Sequence, residues 1–107
     1  MKKRTEAEVD TLIAELWQRH LPVLHERLDI LDRAVAESTS GTLTEASRAE
    51  AIAVAHKLAG NLGMFGHGKS GEIAGQMEPL LKSPTPKKLR SLAALVQRLR
   101  DSLASDL

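Results

Sequence analysis

The 107-residue chain contains no cysteine and no tyrosine, and only one tryptophan and one phenylalanine. The first absence excludes disulfides and thiolate metal sites and fits a reducing compartment. With so few aromatic rings there is no platform on which bases would stack. Charge of one sign is missing too: 15 Lys and Arg balance 14 Asp and Glu, for a net charge of +1. A nucleic-acid partner is therefore not expected. No apolar run approaches the roughly 20 residues that span a bilayer. The opening Met1-Lys2-Lys3-Arg4 is basic, but Thr5-Glu6-Ala7-Glu8 follows where a secretory signal needs an apolar stretch. These readings point to the cytoplasm and away from a membrane. Length and composition suit one globular domain over residues 1–107, with 42% apolar and 27% charged residues.

What is present is helical periodicity, with no credible strand. A first segment, about Thr5 to His20, carries Val9, Leu12, Ile13 and Leu16 behind Thr5 as an N-cap. Pro22 suits the first turn of a new helix. That second helix runs to about Glu37 with Leu24, Leu28, Leu31 and Val35 at helical spacing, and Ser38-Thr39-Ser40-Gly41 reads as a turn. A third helix spans roughly Leu43 to Gly63. Glycines at 63, 66, 68 and 71 punctuate a connection to a fourth, with Ile73, Met77, Leu80 and Leu81 and an expected kink or early stop at Pro79. Thr85 as N-cap and Pro86 at the first position open the last helix, whose seam is Leu89, Leu92, Val96, Leu99 and Leu103. The expected fold is all-α: an antiparallel up-down four-helix bundle with an additional N-terminal helix.

The third helix carries the most information. Ala51, Ala55, Leu58 and Leu62 fall within a narrow arc and form its buried stripe. His56 lies about 130° from that stripe and should face solvent. Its neighbours one turn away are Ile52, Ala53, Ala59 and Gly60, with Gly63 two turns away. A solvent-facing helix surface normally carries Lys, Glu or Gln. Each mid-helix glycine here costs about 1 kcal/mol relative to alanine. Either something large must come close to the imidazole, or the helix packs tightly on its neighbours with His56 as a flanking residue.

At His56, Leu58, Gly60, Gly63 and Gly66, the chain resembles the histidine-containing phosphotransfer (HPt) domain of bacterial phosphorelays. The family pattern is roughly H-x-L-K-G, then a small residue, a further Gly and a helix ending in Leu-Glu. Met77-Glu78 stands in place of that Leu-Glu, and Trp17, Pro22, Arg27-Leu28 and Leu31 look like the first helices of a bacterial branch. The family's usual lysine three residues after the histidine is replaced by Ala59. Lys57 points about 100° away from His56 and cannot inherit its place; Lys69 is the candidate that reaches the site.

The resemblance implies that His56 accepts a phosphoryl group from an aspartyl phosphate on a response-regulator receiver domain. It then passes the group to another receiver, without kinase activity of its own. Nε2 would be the phosphorylated atom, Glu78 the group orienting Nδ1, and Gly60 and Gly63 the residues leaving room for the approach. An alternative for Gly60 is that it merely lets two helices touch. Receivers, and a hybrid sensor kinase, would dock over Ile52, Ala53, Ala59, Gly63 and Met64. No cofactor or metal belongs to the chain itself, Mg2+ being expected on the receiver. The alternative is a helical docking module that regulates a kinase or receiver without carrying phosphate.

Gly63-Met64-Phe65-Gly66-His67-Gly68-Lys69-Ser70 also satisfies the nucleotide-binding spacing G-x-x-x-x-G-K-[ST]. That loop works between a strand and a helix, and here no strand precedes it. His20 and His25, five apart, lie on different helix faces rather than at the i, i+4 spacing of a zinc pair.

Overall fold

A computed structural model describes residues 5–107, so the basic opening at residues 1–4 lies outside the described residues. Those described are helical, with no strand among them: α1 (Glu6–Ser40), α2 (Glu45–Asn61), a 3-10 turn (Leu62–Phe65), α3 (Gly68–Gly75), α4 (Met77–Lys82) and α5 (Pro86–Leu103). None of the helices is long and apolar enough to cross a membrane.

The expected joint at Pro22 does not exist. One 35-residue helix runs through it. Proline removes one backbone N–H and crowds the carbonyl four residues back, at Gln18. Pro22 is exposed, so water can take up the freed carbonyl, while buried Trp17 and Leu24 clamp the helix on either side. The additional N-terminal helix is therefore the first part of α1. Its apolar residues do not all join the core: Val9, Leu12 and Leu16 are 39%, 37% and 45% exposed.

Ser38, Thr39 and Ser40 also continue α1. The Ser38 and Thr39 hydroxyls donate back to the carbonyls of Ala34 (2.7 Å) and Val35 (3.0 Å), so they extend the helix. Only Gly41 turns, at φ 73°, in the left-handed region that glycine enters without penalty.

Beyond α2 the expected fourth helix is split in two. In a continuous helix Pro79 would face the carbonyl of Gly75, which it can neither bond nor clear. The chain breaks at Gln76, and Pro79 falls in the first turn of α4, where a missing N–H is harmless. Thr85 and Pro86 start α5 as expected, the Thr85 hydroxyl accepting from the Lys88 amide at 3.2 Å.

Contacts between helices run in opposite numerical order. The Trp17 indole donates to the Asp106 carbonyl at 2.9 Å, while Arg100 pairs with Asp29 and Asp32, so α1 and α5 are antiparallel. Arg48 reaches Leu81 and His56 reaches Glu78, so α2 runs against α3 and α4 in the same way. One core joins them, built on Leu24, Leu28, Leu31, Leu58, Leu62, Met77, Leu81, Leu92, Leu99 and Leu103, all fully buried. At one end Trp17 packs against His67 and Phe65, with ring centroids 4.4 and 5.3 Å away, and Phe65 stacks on His20 at 5.2 Å.

Candidate functional site

Helix α2 begins at Thr44, whose hydroxyl accepts from the Ser47 amide at 3.0 Å. Ala51, Ala55, Leu58 and Leu62 are completely buried, and Val54 joins them. With that stripe fixed inward, the His56 side chain is turned out and remains 78% exposed. Around it Ala53, Gly60 and Gly63 are exposed, Ile52 and Ala59 are half-buried, and Met64 on the 3-10 turn is 75% exposed.

The two glycines separate the alternatives left open above. A Cβ built on Gly60 or Gly63 meets nothing within 4 Å, so neither glycine is required by a neighbouring helix, although the Gly63 backbone nitrogen would stand 3.7 Å from a Cβ on Gly71. The close approach is at Gly71 on α3, which lies against the end of α2. A Cβ there would stand 3.3 Å from the Ala59 carbonyl oxygen, and one on Gly75 would stand 3.8 Å from the Ala59 methyl. Ala59 thus sits beside α3, where a larger residue must find its way around Gly75.

Helix α4 supplies the second half of the site. Met77 and Leu81, one turn apart, are buried and fix its rotation. Glu78 then lies at the edge of α2, with its Oε1 2.6 Å from His56 Nδ1. Its Oε2 is 3.2 Å from Lys82 Nζ, at the i+4 position of the same helix. Hydrogen bonding from His56, then from Lys82, holds the Glu78 carboxyl below its ordinary range. An ionised carboxylate only accepts, so the neutral ring must carry its proton on Nδ1. Nε2 is left with a lone pair on the open side.

Lys69, in the first turn of α3, is exposed, and no hydrogen bond or ion pair joins it to His56 or Glu78. The cation in contact with the site is Lys82, whose i, i+4 spacing from Glu78 is visible in the sequence. Arg48 braces the same segment. Its Nη1 donates to the carbonyls of Leu81 (2.8 Å) and Lys82 (3.4 Å), capping α4 from α2. That pairing joins residues 33 and 34 apart, which no local pattern reveals.

The nucleotide-loop spelling has no matching geometry. The Gly66 amide is bonded to the Gly63 carbonyl and the His67 amide to that of Leu62, so neither is free to cradle phosphate. Ser70 is buried and its hydroxyl is 2.7 Å from that of Ser102. Among the described residues no three His, Asp or Glu side chains form a cluster suited to a metal ion. His20 serves packing: burial, then the charge of Arg27, holds it below the ordinary imidazole range.

The chain is 35% identical over 92 residues to Protein RcaC of Microchaete diplosiphon, an alignment covering 83% of this chain and 14% of that relative's length. No solved structure matches the chain significantly. The family described as "Hpt domain" matches residues 15–105, nearly the whole chain, including α2 with His56 and α4 with Glu78. The chain therefore belongs to the Hpt domain family, the phosphotransfer modules of two-component signalling.

Proposed function

We propose that His56 is the phosphoryl-accepting residue of a relay between receiver domains. The observation that carries this reading is the ring's double condition: it is 78% exposed, yet its Nδ1 is held at 2.6 Å by Glu78. An exposed side chain is ordinarily free to rotate. This one is held at Nδ1 with the rest of the ring open to solvent, and the positions one turn away carry only Ile52, Ala53, Ala59 and Gly60.

In the proposed step the Nε2 lone pair attacks the phosphorus of an aspartyl phosphate on the receiver. A P–N bond forms, the P–O bond to the aspartate breaks, and the aspartate leaves as a carboxylate. The Nδ1 proton stays on the ring, which gains a positive charge that the Glu78 carboxylate balances. Passing the group to a second receiver reverses these bond changes. In-line attack puts the leaving aspartate on the far side of the phosphorus from Nε2, so the receiver must come close over the ring, and the open surface at Gly60 and Gly63 leaves room for it. Mg2+ is assigned to the acidic pocket of the receiver.

The receiver docks over Ile52, Ala53, Ala59, Gly63 and Met64 in this reading, a small and transient contact suited to relay. The architecture is read as an antiparallel up-down four-helix bundle, with α3 and α4 together forming one broken member and the first turns of α1 as its extension. The proposed place of action is the cytoplasm, and the chain is read as having no kinase activity of its own.

A receiver domain charged with radiolabelled acetyl phosphate tests the reading. The wild-type chain should acquire label that is acid-labile and base-stable, and His56→Gln should acquire none while keeping its helical circular dichroism. Equal labelling of His56→Gln refutes the site. Retained regulation of a kinase by that variant would favour the phosphate-free docking alternative.

A further inference from the structure

Glu78 has two carboxylate oxygens, and each is engaged. Oε1 meets His56 Nδ1 at 2.6 Å, and Oε2 meets Lys82 Nζ at 3.2 Å. The side chain is only 20% exposed, so its surroundings limit where it can point, while its contacts decide how the carboxylate turns within that space. One hydrogen bond to the ring leaves the carboxylate free to swing about that contact. A second tie from the far oxygen removes that freedom.

The short helix is itself tied down. Arg48, eight residues and about two turns before His56 on α2, donates to the Leu81 and Lys82 carbonyls and pairs with Glu45. Helix α4 is thus fastened to α2 at its C-terminal end by Arg48, and near its start by the Glu78–His56 contact. Lys82 stands between the two fastenings: Arg48 holds its backbone, and its ammonium holds Glu78.

We infer that Lys82 is a positioning residue for His56, acting through the Glu78 carboxylate, with Arg48 bracing the segment that carries both. The inference rests on the phosphoryl-acceptor reading of His56. The physical need is specific. An isolated neutral imidazole divides its proton between the two nitrogens and favours Nε2. A proton there occupies the lone pair that must attack phosphorus. The Nδ1–H form exposes that lone pair and is stabilised only while an acceptor stays seated on Nδ1. Seating the acceptor is the work assigned to Lys82. Lys82 is 61% exposed, which sets the size of the effect at about two- to fivefold.

Chain labelled with 15N-histidine allows a test in wild type, Lys82→Met and Lys82→Arg. The 15N shifts of His56 at alkaline pH report which nitrogen carries the proton, and transfer from a phosphorylated receiver is timed on the same samples. Wild type should be protonated at Nδ1. In Lys82→Met the proton should move towards Nε2 and transfer should slow about two- to fivefold with unchanged receiver affinity; Lys82→Arg should restore both. An unchanged tautomer in Lys82→Met overturns the inference, whether or not transfer slows. Because the tautomer is read without phosphate, a shifted proton in a chain whose wild type never takes label would remove the acceptor reading and leave the positioning role standing.

Discussion

Glu78 answers to two partners, and its ionisation gives the residue scale its clearest predictions. Glu78→Gln keeps an oxygen that can accept from Nδ1 but loses the charge that, in the proposed step, balances the phosphorylated ring. Transfer should fall by about tenfold, the scale of a charge-assisted hydrogen bond replaced by a neutral one, with thermal unfolding checking that the fold survives. Gly60 separates space from stability. Gly60→Ala should stabilise the chain by up to about 1 kcal/mol, because nothing lies within 4 Å of the new methyl, whereas Gly60→Leu should slow transfer by crowding the approach. Equal transfer rates in wild type and Gly60→Leu would remove any role for the open surface. At this scale much was legible in sequence: the angle between His56 and the Ala51–Leu62 stripe follows from helix geometry alone. The Lys82 contact is readable from its i, i+4 spacing to Glu78, whereas Arg48 is beyond the reach of local pattern because its partners are 33 and 34 residues away.

Among the elements, proline misled at position 22 and informed at position 79. Both residues carry the same local prohibition, so the difference is tertiary. At Pro22 the helix is exposed on one side and clamped by Trp17 and Leu24 on the other, and burial overrides the broken ladder. At Pro79 the break lies at Gln76, beside the end of α2 where Gly71 and Gly75 already bring backbones close. Pro22→Ala should accordingly stabilise the chain, by about 1–3 kcal/mol, read as a raised denaturation midpoint at unchanged slope. Gly71→Val should do the reverse, losing about 1–3 kcal/mol, since its Cβ would press to 3.3 Å on the Ala59 carbonyl. The start of α5 was legible because Thr85 caps it as a hydroxyl does; α2, expected over roughly Leu43 to Gly63, opens at Glu45 behind a Thr44 cap and gives way to the 3-10 turn after Asn61. The serines and threonine after Glu37 were misread because a hydroxyl that can end a helix can also bond back along one.

For the whole molecule, acid is the informative perturbation. His20 and Glu78 both sit below their ordinary values, from 6.5 and 4.5 respectively, so in acid the unfolded chain binds protons that the folded chain refuses. Stability should therefore fall as pH drops, first below about 6.5 through His20 and again below about 4.5 through Glu78. Thermal unfolding across that range should show both phases. His20→Gln should lose the first; Glu78→Gln should shrink the second, to which Glu45 also contributes through its pairing with Arg48. The all-helical class was legible from periodicity; the length of α1 was not, because nothing local says that two amphipathic segments share one axis.

That length has a practical side. At 1.5 Å per residue α1 measures about 52 Å, close to the 55 Å longest extent of the molecule. Residues 5–12 are exposed throughout, so the described rod ends as a handle. A chemical linker attached there, through Glu6→Cys for instance, would hold the protein on a sensor chip by its stem and leave the imidazole facing the flow of arriving receivers.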